Sequence, residues 1–116
     1  MKVHETYGPG LRESVYENCL AVELDEAGLE FTRQTAVDLT HRGVSVGKSF
    51  RPDFIVDRKV VVELKSVPEV TVPHMKQLRS YLAVSGLELG LIINFNVEYL
   101  VKGVRRITLK KKDAEH

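Results

Sequence analysis

The segment Lys59-Val60-Val61-Val62-Glu63-Leu64-Lys65 constrains the fold of this 116-residue chain more than any other. Consecutive β-branched residues are stiff at χ1 and favour a strand. The run is apolar enough to be buried, yet it ends in charge. Side chains alternate faces along a strand, so Glu63 and Lys65 point one way and Leu64 points into the other layer. A carboxylate and an ammonium therefore emerge together at the end of a buried strand. Such charges are costly unless they are paired or bind a metal.

The rest of the chain supplies partners for this strand. Gly8-Pro9-Gly10 is a break, and Leu11, Val15, Cys19, Leu20, Val22 and Leu24 follow at helical spacing until Gly28. The spacing predicts a helix from about Leu11 to Ala27. Phe31 to Thr40 alternates in part, Arg42-Gly43 makes a turn, and Val44 to Gly47 returns, which predicts a hairpin. Phe50 to Val56 and Lys59 to Lys65 form two more strands around Asp57-Arg58. Thr71 is an N-cap for a second helix, His74 to Ser85, stopped by Gly86. Leu89 to Phe95 suits a buried strand. Tyr99–Val101 and Val104–Leu109 flank Lys102-Gly103 as a last hairpin. The order predicts an α/β domain, mixed in the α+β sense, with a central mixed sheet flanked by helices. Residues 1–109 are expected to form this one domain, with 110–116 a frayed basic tail.

Composition narrows the function classes. A net charge of +1 gives no overall basic field, so nucleic-acid contact has to come from a local patch. The single cysteine, Cys19, excludes an internal disulfide and fits a reducing cytoplasm. Its apolar neighbours Val15, Tyr16, Leu20 and Val22 place it in the core. No run reaches the roughly 18 apolar residues of a membrane helix. Met1 to Tyr7 is polar and does not resemble a signal peptide.

Asp53 lies ten positions before Glu63, in Arg51-Pro52-Asp53-Phe54-Ile55-Val56. Taken singly, each charged group has an ordinary reading. Asp53 can be held by a backbone N–H or by Arg51, and Glu63 can pair with Lys65 or Arg51. Lys65 can extend to solvent. Together, two carboxylates on adjacent strands can share a Mg²⁺, which prefers oxygen ligands and keeps several waters. Such a metal polarises a phosphoryl oxygen and lowers the pKa of its water. Lys65 can orient that water or stabilise developing charge. Glu13, in the first turn of the first helix, is a third acid, although its charge also suits the helix dipole there. Glu17 lies one turn further on the same side. Gln77 and Tyr81 share one face of the second helix. His74 and Lys76 open that helix and can reach a backbone phosphate.

Gly10-x-x-Glu13, Asp53, Glu63-x-Lys65 and Gln77-x-x-x-Tyr81 resemble, in order, the motifs of the PD-(D/E)XK nuclease superfamily, and most of all its RecB-like branch. More narrowly, Gly8-Pro9-Gly10-Leu11-Arg12-Glu13-Ser14-Val15-Tyr16 resembles the GxxExxY protein family. So do Arg51-Pro52-Asp53, Val62-Glu63-Leu64-Lys65 and Leu91-Ile92-Ile93-Asn94-Phe95. The resemblance runs from about His4 to Leu109 and implies a restriction-endonuclease-like core of helix–strands–helix–strand topology. It implies Asp53 and Glu63 as central metal ligands, with Glu13 and the Leu64 carbonyl as further ones, and Lys65 as the catalytic lysine. Gln77 and Tyr81 would support the site and contact nucleic acid. The chain departs from the family in having only a few residues where members carry an amino-terminal helix.

The expected function is a Mg²⁺- or Mn²⁺-dependent nuclease that hydrolyses DNA phosphodiesters by attack of a metal-activated water. Lys48, Arg51, His74, Lys76 and Arg79 would form a local basic rim. Two alternatives stand beside it: a non-catalytic module of the same fold that binds nucleic acid or protein, and a structural dimer whose acids pair with Arg51 and Lys65. The small domain also leaves a homodimer as an expected partner.

Overall fold

The computed structural model describes residues 2–110, with residues 111–116 of the expected tail outside the described part. A short helix α1 (Lys2–Tyr7) precedes α2 (Glu13–Glu26). Three strands follow: β1 (Phe31–Arg33), β2 (Val37–His41) and β3 (Val44–Phe50). Then come β4 (Phe54–Val56), β5 (Val60–Lys65), α3 (Val72–Ser85) and β6 (Leu89–Asn94). A 3₁₀ turn at Leu100–Gly103 leads into β7 (Val104–Thr108).

Five strands form the main sheet in the order β1-β4-β5-β6-β7. The β5–β6 pair is parallel and joined through α3, while the other three pairs are antiparallel. Hairpin β2–β3 forms a separate two-stranded sheet. The fold is thus the expected mixed α/β arrangement with helices on both faces of a central sheet.

The alternation of β5 explains the two layers. Val62 and Leu64 pack with Tyr16, Ala21, Phe54 and Phe95 on the α2 side. Val61 packs with Leu78, Leu82, Ile92 and Leu109 on the α3 side. Both layers hold fully buried side chains, which removes apolar area from water on each face of the strand. Gly90 lets α3 approach β6, because a Cβ there would lie 2.9 Å from the Leu78 side chain. Helix α3 starts with a capping box, in which the Thr71 side chain accepts from His74 N–H and His74 Nδ1 accepts from Thr71 N–H. It ends on Gly86 in the left-handed conformation.

Four local expectations change, the first being that Phe31 to Thr40 divides into β1 of the main sheet and β2 of the hairpin. The stretch from Phe50 to Val56 is not one strand, because residues 51–53 leave the hairpin and enter the main sheet. Buried Pro52 sits at that break and has no N–H to give to a ladder. The segment Tyr99–Val101 is not a strand, since β7 pairs with β6 and the 3₁₀ turn occupies the connection. A Cβ on Gly103 would lie 2.1 Å from the Asn94 carbonyl oxygen, so backbone passes against backbone there. Cys19 is half-buried rather than fully enclosed, and Val15 and Val22 on α2 are exposed.

Candidate functional site

The site is built where β4 and β5 run antiparallel. Their register pairs Phe54 with Val62, and one further step sets Asp53 opposite Glu63. On the other side, β1 pairs Arg33 with Phe54, which sets Gln34 opposite Asp53. The ladder closes there through a hydrogen bond from Gln34 N–H to the Asp53 carbonyl, 3.1 Å. Gln34, Asp53 and Glu63 therefore lie in one row across three strands, and residues paired this way share a face.

Both Asp53 carboxylate oxygens accept hydrogen bonds. Oδ2 accepts from the Leu64 N–H at 2.7 Å, and Oδ1 accepts from Gln34 Nε2 at 2.9 Å. The same Gln34 nitrogen donates to Glu17 Oε1. Glu17 Oε2 in turn pairs with Arg33 Nη2 at 3.2 Å. Asp53 thus does have a backbone N–H partner, as its ordinary reading required, but Arg51 does not hold it.

Glu63 is in the opposite condition. Its Oε1 is buried without a hydrogen-bond partner. Among the described residues, neither Lys65 nor Arg51 comes within ion-pair distance of it. Burial, the Asp53 charge, and a hydrogen bond to Asp53 that needs a proton together push its carboxyl up to about 8. The Lys65 ammonium and a backbone hydrogen bond from Asp53 oppose this shift without cancelling it.

Glu13 sits at the first residue of α2, beside a cavity of about 150 Å³ that it lines with Ser14, Glu17, Gln34, Asp53 and Leu64. The residue is exposed overall, yet its carboxyl is shielded enough that burial and the Asp53 charge raise its pKa. Lys65 and a hydrogen bond from the Ser66 backbone act in the other direction. The Lys65 ammonium therefore acts on both Glu13 and Glu63. The end of β5 is fixed from β6, because Phe95 N–H donates to the Lys65 carbonyl at 2.9 Å. The buried Asn94 amide also bonds Val67 N–H at 3.1 Å and the Val67 carbonyl at 2.9 Å.

Helix α3 contributes Tyr81. Its ring stacks on Phe50 with centroids 4.0 Å apart, and burial followed by the charges of Glu63 and Asp53 raises its pKa. Gln77, one turn earlier, is exposed, as are Arg51 and Lys76. Lys48 is exposed and paired with Asp38 at 3.0 Å. Tyr16 is not part of the site either. It is fully buried, stacks on Phe95 with centroids 4.1 Å apart, and donates its hydroxyl to the Gly8 carbonyl.

The structure thus brings Glu13, Asp53, Glu63, Leu64, Lys65 and Tyr81 into one neighbourhood. Gln34 and Glu17 enter it as well. Gln34 carries no sequence signal, because its place depends on register and on a left-handed backbone, φ 52°. Among the described residues, no three His, Cys, Asp and Glu side chains form a metal cluster by themselves. The donor set is nonetheless all oxygen and holds one unpartnered buried carboxylate oxygen, which fits a hard divalent cation completed by backbone carbonyl and water. A larger cleft of about 870 Å³ lies elsewhere, between α1 and residues 96–101, and contains none of these groups.

A mixed sheet with helices on both faces, carrying two opposed acids and a lysine at the end of a central strand, is a nuclease-type fold. The chain belongs to the PD-(D/E)XK nuclease superfamily, whose family model matches residues 1–107. Nucleases of this superfamily typically use divalent metals. No curated protein matches the chain, and no solved structure does. Among the described residues, no helix is long and apolar enough to cross a membrane.

Proposed function

We propose that the protein is a metal-dependent nuclease that hydrolyses phosphodiester bonds of DNA, within the GxxExxY family of the RecB-like branch. The observation that carries this reading is Glu63 Oε1, buried without a partner beside the Asp53 carboxylate. Two adjacent carboxylates in a half-buried place repel each other unless they share a proton or a cation.

Asp53 and Glu63 would hold the metal centrally, with Glu13 and the Leu64 carbonyl as further ligands. A bound Mg²⁺ or Mn²⁺ would polarise the scissile phosphate and acidify a water. Lys65 is the catalytic lysine in this reading: its ammonium stabilises the charge that builds on the phosphate oxygens. Tyr81, Gln77, Arg51 and Lys76 hold the DNA strand over the site. The Leu64 N–H and the Gln34 amide keep Asp53 in place while the substrate is aligned.

The proposal includes one catalytic domain over residues 1–109 and a cytoplasmic location, which the single cysteine favours. It also includes pairing of two copies of this small domain. Sedimentation that gives only the monomer mass would remove the pairing.

The test is cleavage of single- and double-stranded DNA with Mg²⁺ or Mn²⁺ by the wild type, Glu63→Ala and Lys65→Ala. The wild type cuts and both variants lose activity by a factor of about 100 or more. Cleavage that persists in both variants contradicts the assignment. DNA binding by the wild type with no cleavage identifies a non-catalytic module instead.

A further inference from the structure

We infer that Gln34 is a positioning residue that fixes the Asp53 carboxylate for a cation, an inference that rests on the proposed metal site. Gln34 lies between β1 and β2 with φ 52°, a conformation uncommon for a residue other than glycine. Such a backbone persists where surrounding contacts determine it, and functional sites are where these residues gather. Here two of the contacts fall on Asp53. The Gln34 N–H bonds the Asp53 carbonyl at 3.1 Å, and its side-chain Nε2 bonds Asp53 Oδ1 at 2.9 Å.

The amide chemistry suits the position. Nε2 carries two hydrogens, and its two neighbours are carboxylate oxygens, of Asp53 and of Glu17. A carboxylate in place of this amide would add a third negative charge. An apolar side chain would leave Asp53 and Glu17 with no donor between them. Arg33 holds the far oxygen of Glu17 and also donates to Asn18, so the row runs cation, anion, amide, anion from α2 and β1 to Asp53.

The consequence is a carboxylate held from both sides. Leu64 N–H fixes Oδ2 from β5, and Gln34 fixes Oδ1 from the β1 side. Each oxygen keeps a lone pair for a cation. Donors that orient a ligand in this way sustain metal affinity, and their loss typically weakens it by about 10–100-fold.

The experiment is calorimetric titration of the full chain with Mn²⁺, for the wild type, Gln34→Met, Gln34→Ala and Glu63→Ala, alongside thermal melts in EDTA. The Gln34 variants are expected to bind Mn²⁺ about 10–100-fold more weakly, while their metal-free melting temperature stays within about 5 °C of wild type. DNA cleavage by Gln34→Met recovers as Mn²⁺ is raised to saturation. Mn²⁺ affinity of both Gln34 variants within about twofold of wild type, with binding lost in Glu63→Ala, overturns the role of Gln34 and leaves the site standing. A wild type that binds no Mn²⁺, or binds it as Glu63→Ala does, overturns the site and the Gln34 role together. A drop in metal-free melting temperature large enough to account for the lost affinity shows a folding role and overturns positioning.

Discussion

Asp53 and Glu63 face each other where β4 and β5 run antiparallel, and only Asp53 has a donor on each carboxylate oxygen. Asp53 has the Leu64 N–H at 2.7 Å and the Gln34 amide at 2.9 Å. Glu63 has a buried oxygen with no donor. The asymmetry gives one acid a fixed geometry and makes ionisation of the other costly, so that its carboxyl is raised to about 8.

That imbalance predicts how stability depends on pH without metal. The Glu63 carboxyl is raised from 4.5 to about 8 in the folded chain. Below the unfolded value both states hold the proton, so the group has no cost. As pH rises towards about 8, the unfolded chain ionises first and folding loses stability. Glu63→Gln in EDTA should therefore raise stability by ~1–3 kcal/mol at pH 8 and change it little near the unfolded value. Thermal melts across this range check the sign, and a destabilised Glu63→Gln at pH 8 would contradict it. Addition of Mn²⁺ should reverse the ranking by stabilising the wild type alone.

Tyr16 belongs to the scaffold. Its hydroxyl accepts from Leu11 N–H at 3.2 Å and donates to the Gly8 carbonyl, tying the Gly8-Pro9-Gly10 turn to the core. Tyr16→Phe keeps the stack on Phe95 and loses these bonds, which should cost ~1–2 kcal/mol in urea unfolding. Tyr16→Ala should cost ~3–5 kcal/mol. In both, Mn²⁺ affinity of the folded fraction should remain.

Arg51 and Lys76 are exposed cations, and their role in the proposed DNA complex is electrostatic. Anisotropy measurements on the uncleaving Glu63→Ala variant should show DNA binding that weakens as salt rises. Arg51→Ala and Lys76→Ala should each reduce the log–log salt slope by about 0.9. An unchanged slope would remove that residue from the phosphate contacts.

Much of the fold is legible from residue order, for reasons that can be named. The valine run marks β5, and the alternation after it sends Leu64 to the α2 layer and leaves Glu63 and Lys65 on the other face. Thr71 and Gly86 mark α3 because capping is local chemistry. What escapes the sequence is set by register and close approach. Asp53 reaches Glu63 from a break between two sheets, not from within one continuous strand. Tyr99–Val101 reads as a hairpin arm beside Lys102-Gly103, yet the Gly103 backbone packs against Asn94 and the chain takes a 3₁₀ turn. Gln34 and Glu17 join Asp53 through long-range pairing that no local spacing announces. Gln77 shares a helix face with Tyr81, yet Gln77 is exposed while Tyr81 stacks on Phe50 and feels the charges of Glu63 and Asp53.

The most direct test is a crystal structure in excess Mn²⁺ with an anomalous map. The account predicts one Mn²⁺ joined to both Asp53 and Glu63, with oxygen ligands at about 2.0–2.2 Å and Glu63 Oε1 no longer without a partner. Asp53 and Glu63 paired directly with Arg51 and Lys65, with no Mn²⁺ between them, would contradict it.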